Sequence, residues 1–123
     1  MAAGKDALQA MHDARQMAAD IKVSLIQGQL DRLGDLLHEG WIQKKRFGAK
    51  ITNAHIDALY DDLQAAGMRG GKITGAGGGG HMLVYAPFER RAEVKSAVAA
   101  AGGRHVPYRI DWIGLRTWED RHV

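Results

Sequence analysis

The chain has 123 residues, of which 46% are hydrophobic and 25% charged, the length of one compact domain with one core and a composition that excludes a disordered polymer. It has no cysteine, which excludes disulfides, thiolate catalysis and thiolate metal sites and suits a cytoplasmic protein. Lys and Arg number 17 against 14 Asp and Glu, a net charge of +3, mildly favourable to phosphorylated ligands or nucleic acid, but the only dense run, Lys44-Lys45-Arg46, is short enough to read as solvated surface.

From Lys5 to about Gln27, Leu8, Met11, Met17, Ala18, Ile21 and Leu25 recur at spacings near three and four, which predicts a long amphipathic helix with one buried stripe. Gly28 is placed to end it. A second helix is expected from about Leu30 to Gln43, with Leu33, Leu36, Leu37 and Trp41 inward, and the short gap between the two favours antiparallel neighbours. Thr52 or Asn53 can cap a third, whose apolar face is Ile56, Leu59, Tyr60 and Leu63 and whose stop is Gly67. An extended stretch from Gly70 to Thr74 and an apolar run from His81 to Ala86 read as strands on either side of a glycine-rich segment. Pro87 breaks the second strand. A fourth helix is expected from about Phe88 to Ala101, ended by Gly102-Gly103, then a strand over Arg104 to Asp111 and a last short strand over Gly114 to Trp118. Helices first and strands later indicate an α+β domain with an antiparallel or mixed sheet. The N-terminus lacks the apolar stretch of a signal peptide, and no run of ~18 apolar residues occurs anywhere.

The segment Gly75-Ala76-Gly77-Gly78-Gly79-Gly80 holds five glycines in six residues. Packing does not explain it, because each glycine costs backbone entropy on ordering and brings no side chain to the core. The physical uses of such a run are an anion-binding nest of N–H groups, or a tight connection needing positive φ at several positions. It matches G-x-G-x-x-G, yet the dinucleotide fold needs a helix to start within that motif, and here a strand follows. A P-loop needs Gly-Lys-Ser/Thr at its end, whereas Lys72 precedes the glycines.

Gly71-Lys72-Ile73-Thr74-Gly75-Ala76-Gly77-Gly78-Gly79-Gly80, followed by an apolar strand, closely resembles the third motif of the GHMP kinases, the superfamily of galactokinase, homoserine kinase and mevalonate kinase. Trp41 with Lys44 and Lys45, Ile56-Asp57-Ala58-Leu59-Tyr60, Gly70-Gly71-Lys72 and Gly114-Leu115-Arg116-Thr117-Trp118 look like its D-glycero-D-manno-heptose 7-phosphate kinase branch. The resemblance spans essentially the whole chain as a C-terminal domain. It implies a single domain over 1–123, with helices packed on a small antiparallel or mixed sheet. It also implies transfer of the ATP γ-phosphoryl to a sugar hydroxyl, in the heptose branch the anomeric oxygen of heptose 7-phosphate. Positioning and charge stabilisation dominate such reactions.

In that family the third-motif loop folds against the phosphate-binding loop of the other domain and helps shape the cleft for ATP and substrate. The resemblance carries this role onto Thr74, Gly75, Ala76, Gly77, Gly78, Gly79 and Gly80. The family's first motif and serine-containing phosphate loop belong to an N-terminal domain, and the only serines here, Ser24 and Ser96, fall inside predicted helices. The resemblance therefore implies that the catalytic residues and Mg²⁺ ligands belong to an N-terminal kinase domain on the same or a separate chain. ATP and Mg²⁺ are then cofactors of the complete enzyme, neither firmly bound by this chain alone, and the isolated chain is expected to be inactive.

Lys72 can reach a phosphate or, by strand alternation, turn to solvent, and His81 opens the strand after the loop and can reach the cleft or lie half-exposed. The other histidines show no His-x-x-x-His or acidic ligand spacing, so no metal site is expected. Trp41 reads as a core anchor ahead of solvated lysines. The alternative function is a stand-alone small-anion or nucleic-acid binding or regulatory module, testable by salt-dependent binding. No membrane association is expected, and the apolar stripe of the first helix predicts self-association of the isolated domain.

Overall fold

The computed structural model describes residues 2–46, 50–75 and 80–119. In chain order these form α1 (Ala2–Ile26), α2 (Leu30–Lys45), α3 (Ala54–Ala65), β1 (Gly70–Ile73), β2 (Met82–Tyr85), a 3₁₀ turn (Phe88–Arg90) and α4 (Arg91–Ala100). The two strands pair antiparallel, with Gly70 opposite Tyr85 and Ile73 opposite Met82. The architecture is α+β, four helices with a two-stranded antiparallel sheet. None of the described helices is long and apolar enough to cross a membrane.

Local chemistry sets the helix ends. α1, α3 and α4 all finish in the same pattern, in which the glycine N–H reaches back three residues and the next N–H reaches back five: Gly28 to Leu25 and Gln29 to Ser24, Gly67 to Gln64 and Met68 to Leu63, Gly102 to Ala99 and Gly103 to Val98. These are Schellman closures, and each glycine has the positive φ they require. At the start of α3, the Asn53 side chain accepts from the Ile56 N–H at 2.9 Å, while Thr52 donates to the Asp57 carboxylate at 2.8 Å. Asn53, not Thr52, is the cap.

The core gathers Trp41 from α2, Ile56, Tyr60 and Leu63 from α3, Met68, Ile73 from β1 and Val94 from α4. Leu36 and Leu37 are buried as their spacing predicts. α2 lies against β1 so closely that backbone meets backbone. A Cβ on Gly70 would overlap the Gly34 carbonyl oxygen and stand 2.8 Å from the His38 nitrogen, and one on Gly34 would stand 2.5 Å from the Tyr85 ring. Arg69 ties the rim of this contact, forming a two-pronged hydrogen bond to Asp35 at 3.1 and 2.9 Å.

Three expectations are corrected. The buried face of α1 is narrower than its apolar stripe: Met17 and Ile21 are half-buried and Ser24 is buried, but Leu8, Met11 and Leu25 are exposed. At Leu8 and Met11 the reason is length, since the 25 residues of α1 extend about 37 Å and the 16 of α2 about 24 Å. The N-terminal turns of α1 thus outrun their neighbour. The fourth helix is split, because Pro87 sets up a 3₁₀ turn before α4 begins at Arg91. Finally, residues 104–119 form no strand, and Val106, Tyr108, Ile110, Trp112, Leu115 and Trp118 are all exposed. Alternation makes a segment compatible with a sheet, but a strand exists only when a partner takes up its backbone groups. Among the described residues no such partner lies beside this segment.

Candidate functional site

The site is the connection between β1 and β2. The ladder continues one step beyond the strands: the Thr74 N–H donates to the His81 carbonyl at 2.9 Å, and the Thr74 hydroxyl donates to the same oxygen at 3.1 Å. These bonds close a neck at the base of the connection, between Gly75 and Gly80. Ala76, Gly77, Gly78 and Gly79 lie outside the described residues. Gly75 and Gly80, the two ends of the loop, have φ of +80° and +96°, and a Cβ at either would meet nothing. The glycine requirement at these two positions is therefore conformational, and among the described residues no clash imposes it.

The outer edge of β1 is closed by side chains. Gly71, Ile73 and Gly75 face away from β2. The Tyr60 hydroxyl lies 3.3 Å from the Gly71 nitrogen and 3.4 Å from its carbonyl oxygen, accepting from the first and reaching the second. Next along the edge, Lys44 donates from its Nζ to the Ile73 carbonyl at 3.3 Å and to the Gly75 carbonyl at 2.5 Å. Side chains of α3 and α2 thus occupy edge groups that would otherwise be free to recruit another strand.

Behind this edge is a stack of rings. His38 Nδ1 is 2.8 Å from the Tyr60 oxygen, the His38 and Tyr60 rings stack with centroids 5.7 Å apart, and Trp41 also stacks with Tyr60, at 6.1 Å. Trp41 is the fully buried core anchor that its sequence position indicates. Burial pushes the Tyr60 phenol above its ordinary value of 10, with partial relief from its hydrogen bond to Gly71. A phenol that ionises later in the folded than in the unfolded chain stabilises the fold fully below the unfolded pKa, and that contribution disappears as pH rises through the folded pKa. Stability to urea should accordingly fall above about pH 10, and Tyr60→Phe should decline less steeply over that range while being roughly 1 kcal/mol weaker at pH 8. Parallel alkaline slopes for the two proteins would remove Tyr60 as the cause.

Lys44 and Lys72 are the charges at the mouth of the loop. The Lys44 ammonium is pushed below its ordinary value, first by desolvation and then by the like charge of Lys72. Among the described residues neither lysine forms an ion pair, whereas Lys45, the next residue on α2, pairs with Asp57 at 3.7 Å and lies over the Trp41 ring. Lys72 is half-buried and sits opposite Leu83 in the ladder. His81 is exposed, and its backbone oxygen accepts the two Thr74 hydrogen bonds at the neck. Among the described residues no group of three or more His, Cys, Asp or Glu could hold a metal ion. The arrangement places two ammonium groups beside the ends of the loop.

The sequence family described as GHMP kinases C terminal matches residues 21–104, which includes α2, α3, the sheet, the glycine loop and α4. The chain belongs to the GHMP kinase C-terminal family. Among curated relatives, the D-glycero-alpha-D-manno-heptose 7-phosphate kinase of Campylobacter jejuni is 25% identical over 111 residues, covering 90% of this chain and 33% of the relative. The mevalonate kinase of Pyrococcus furiosus is 33% identical over 114 residues, covering 91% and 33%. The galactokinase of Mannheimia succiniciproducens is 34% identical over 100 residues, covering 78% and 26%. All three are kinases, hence phosphotransferases, and the chain spans about a third or less of their length.

Reading the sequence alone assigns loop contact to the glycines and to Lys72 and His81, and it misses the part that Lys44 takes. The three residues Trp41, Lys44 and Lys45 stand out as a resemblance, but nothing in linear order shows that Lys44 reaches across 29 and 31 residues to two carbonyls at the loop. His38 is missed for the same reason, since its partner Tyr60 is 22 residues away.

Proposed function

We propose that this chain is the C-terminal domain of an ATP-dependent kinase that phosphorylates a sugar or sugar phosphate of the heptose 7-phosphate type. One observation carries the reading: the glycine run connects the two strands of a closed antiparallel neck inside the segment that matches the GHMP kinases. On this reading Thr74, Gly75 and Gly80, together with Ala76, Gly77, Gly78 and Gly79, line the cleft for ATP phosphates and substrate. Lys72 and His81 stand at its border. ATP suits a glycine loop that has, among the described residues, open space at its two ends and ammonium charge without an ion-pair partner beside it. Mg²⁺ ligands are assigned to an N-terminal kinase domain. The chain then works in the cytoplasm as one domain of a two-domain site. The heptose-type acceptor is supported by similarity to the Campylobacter enzyme over 90% of the chain.

A second acceptor is favoured by a separate observation. Mevalonate kinases match at higher identity, 48% over 69 residues for that of Thermococcus onnurineus, covering 56% of the chain and 20% of the relative. A mevalonate-like hydroxyl acid is therefore the competing substrate class.

The test is reconstitution. The purified chain should show no ATP-dependent phosphorylation alone and should run larger than 13.4 kDa by light scattering, as expected from the exposed Leu8, Met11 and Leu25 of α1. Mixed with a GHMP N-terminal domain, it should form a one-to-one complex that phosphorylates heptose 7-phosphate in preference to mevalonate. Turnover by the chain alone would overturn the two-domain reading. Preference for mevalonate would replace the acceptor. An inactive mixture combined with salt-dependent anion or nucleic-acid binding by the chain alone would instead support a free-standing module.

A further inference from the structure

Three outward-facing backbone positions follow one another along the edge of β1 and into the loop: Gly71, Ile73 and Gly75. Tyr60 serves the first, and Lys44 serves the other two. Lys44 thus carries the edge closure past the end of the strand to Gly75, one residue beyond the Thr74 ladder bond. It does so from the last turn of α2, a helix fixed against β1 by the Gly34–Gly70 contact. Its origin is therefore rigid relative to the neck. Its neighbour Lys45 is occupied with Asp57 and Trp41, so two adjacent lysines have separate tasks.

The electrostatic consequence follows from the chemistry of the groups. Carbonyl oxygens are the negative ends of peptide dipoles, and two of them uncovered at the mouth of a loop would repel phosphate oxygens. Gathered onto one ammonium, they leave the mouth with net positive charge, to which Lys72 adds. An ammonium has three donors, and two are used here.

We propose that Lys44 is the positioning residue of the glycine loop: it fixes the Ile73 and Gly75 carbonyls on one point and, with Lys72, turns a positive mouth toward a phosphate-bearing ligand. The positioning stands on the hydrogen-bond geometry alone. The ligand class rests on the kinase reading above, and phosphate is the chemistry that a nucleotide and a sugar phosphate share.

The experiment uses the ¹⁵N-labelled full chain as wild type, Lys44→Met and Lys44→Arg. Charge-assisted bonds of this kind predict amide exchange at Thr74 about tenfold faster in Lys44→Met, with displaced Thr74 and Gly75 resonances and wild-type exchange in α3 and α4. Lys44→Arg, which keeps the charge and several donors, should restore most of the protection. Inorganic tripolyphosphate serves as the anion probe. It should shift Thr74, Gly75 and Gly80 in the wild type and bind several-fold more weakly to Lys44→Met. Unchanged loop amides in Lys44→Met, changes spread equally over α3 and α4, or failure of Lys44→Arg to restore protection would overturn the positioning role. Equal tripolyphosphate affinity in wild type and Lys44→Met, or no binding to either, would overturn the anion-facing role. An inactive reconstituted mixture with the Lys44→Met effect intact would sink the kinase reading and leave the positioning in place.

Discussion

Gly70→Ala should cost the chain a large part of its stability, although it adds one methyl group to a strand. That methyl would overlap the Gly34 carbonyl oxygen and crowd the His38 nitrogen, both backbone atoms of α2. Overpacking that side chains can relieve costs about 1–3 kcal/mol. Relief here requires moving a whole helix off the sheet, so a loss of about 3 kcal/mol or more is expected, a large part of the 5–15 kcal/mol typical of a domain. The measurement is the urea midpoint followed by circular dichroism. Gly75→Ala is the control: it places a residue at φ +80° but in open space, and should cost only about 1–2 kcal/mol. Equal losses for the two variants would show that backbone conformation, and not the α2–β1 contact, governs both.

The second large effect is at Trp41, which is 0% exposed and stacks on Tyr60. Trp41→Ala leaves a cavity between α2 and α3 and should cost about 3–5 kcal/mol. Trp41→Phe should cost far less, roughly 1–2 kcal/mol, because the indole Nε1 is buried with no hydrogen-bond partner among the described residues and replacement by phenyl removes that unsatisfied donor. Thermal or urea unfolding of both variants checks the pair. A Phe variant as unstable as the Ala variant would mean that the indole makes a polar contact important to the fold. Lys45 above the ring should add little to either difference, since it is partly solvated.

Several elements were legible before any coordinates. The Schellman closures at Gly28, Gly67 and Gly102 and the Asn53 cap depend on residues within five positions of one another, so their chemistry can be read in linear order. The inward positions Leu36, Leu37, Trp41, Ile56, Tyr60 and Leu63 follow from helical period. The strand–glycine–strand order that excludes a P-loop and a dinucleotide motif is equally local. By contrast, α1 shows that an apolar stripe gives the face a helix could bury without saying how much of it a neighbour covers. Residues 104–111 show the same limit for alternation, because a strand needs a partner whose position is not a local property.

By itself, then, the sequence determined the glycine-closed helix ends, the Asn53 cap, the two strands flanking the glycine connection and the family resemblance, all of which rest on short-range periodicity, caps and motif spacing. Only the tertiary structure decided that Tyr60 and Lys44 close the edge of β1 and that Gly70 is required by contact with Gly34. It also showed that Gly75 and Gly80, the described ends of the loop, are required by conformation and not by crowding. The physical reason is that a hydrogen bond or an overlap forms between groups within a few ångströms of each other. Chain separations of 29, 31 and 11 residues reach that distance only after α2 and α3 have packed on the sheet.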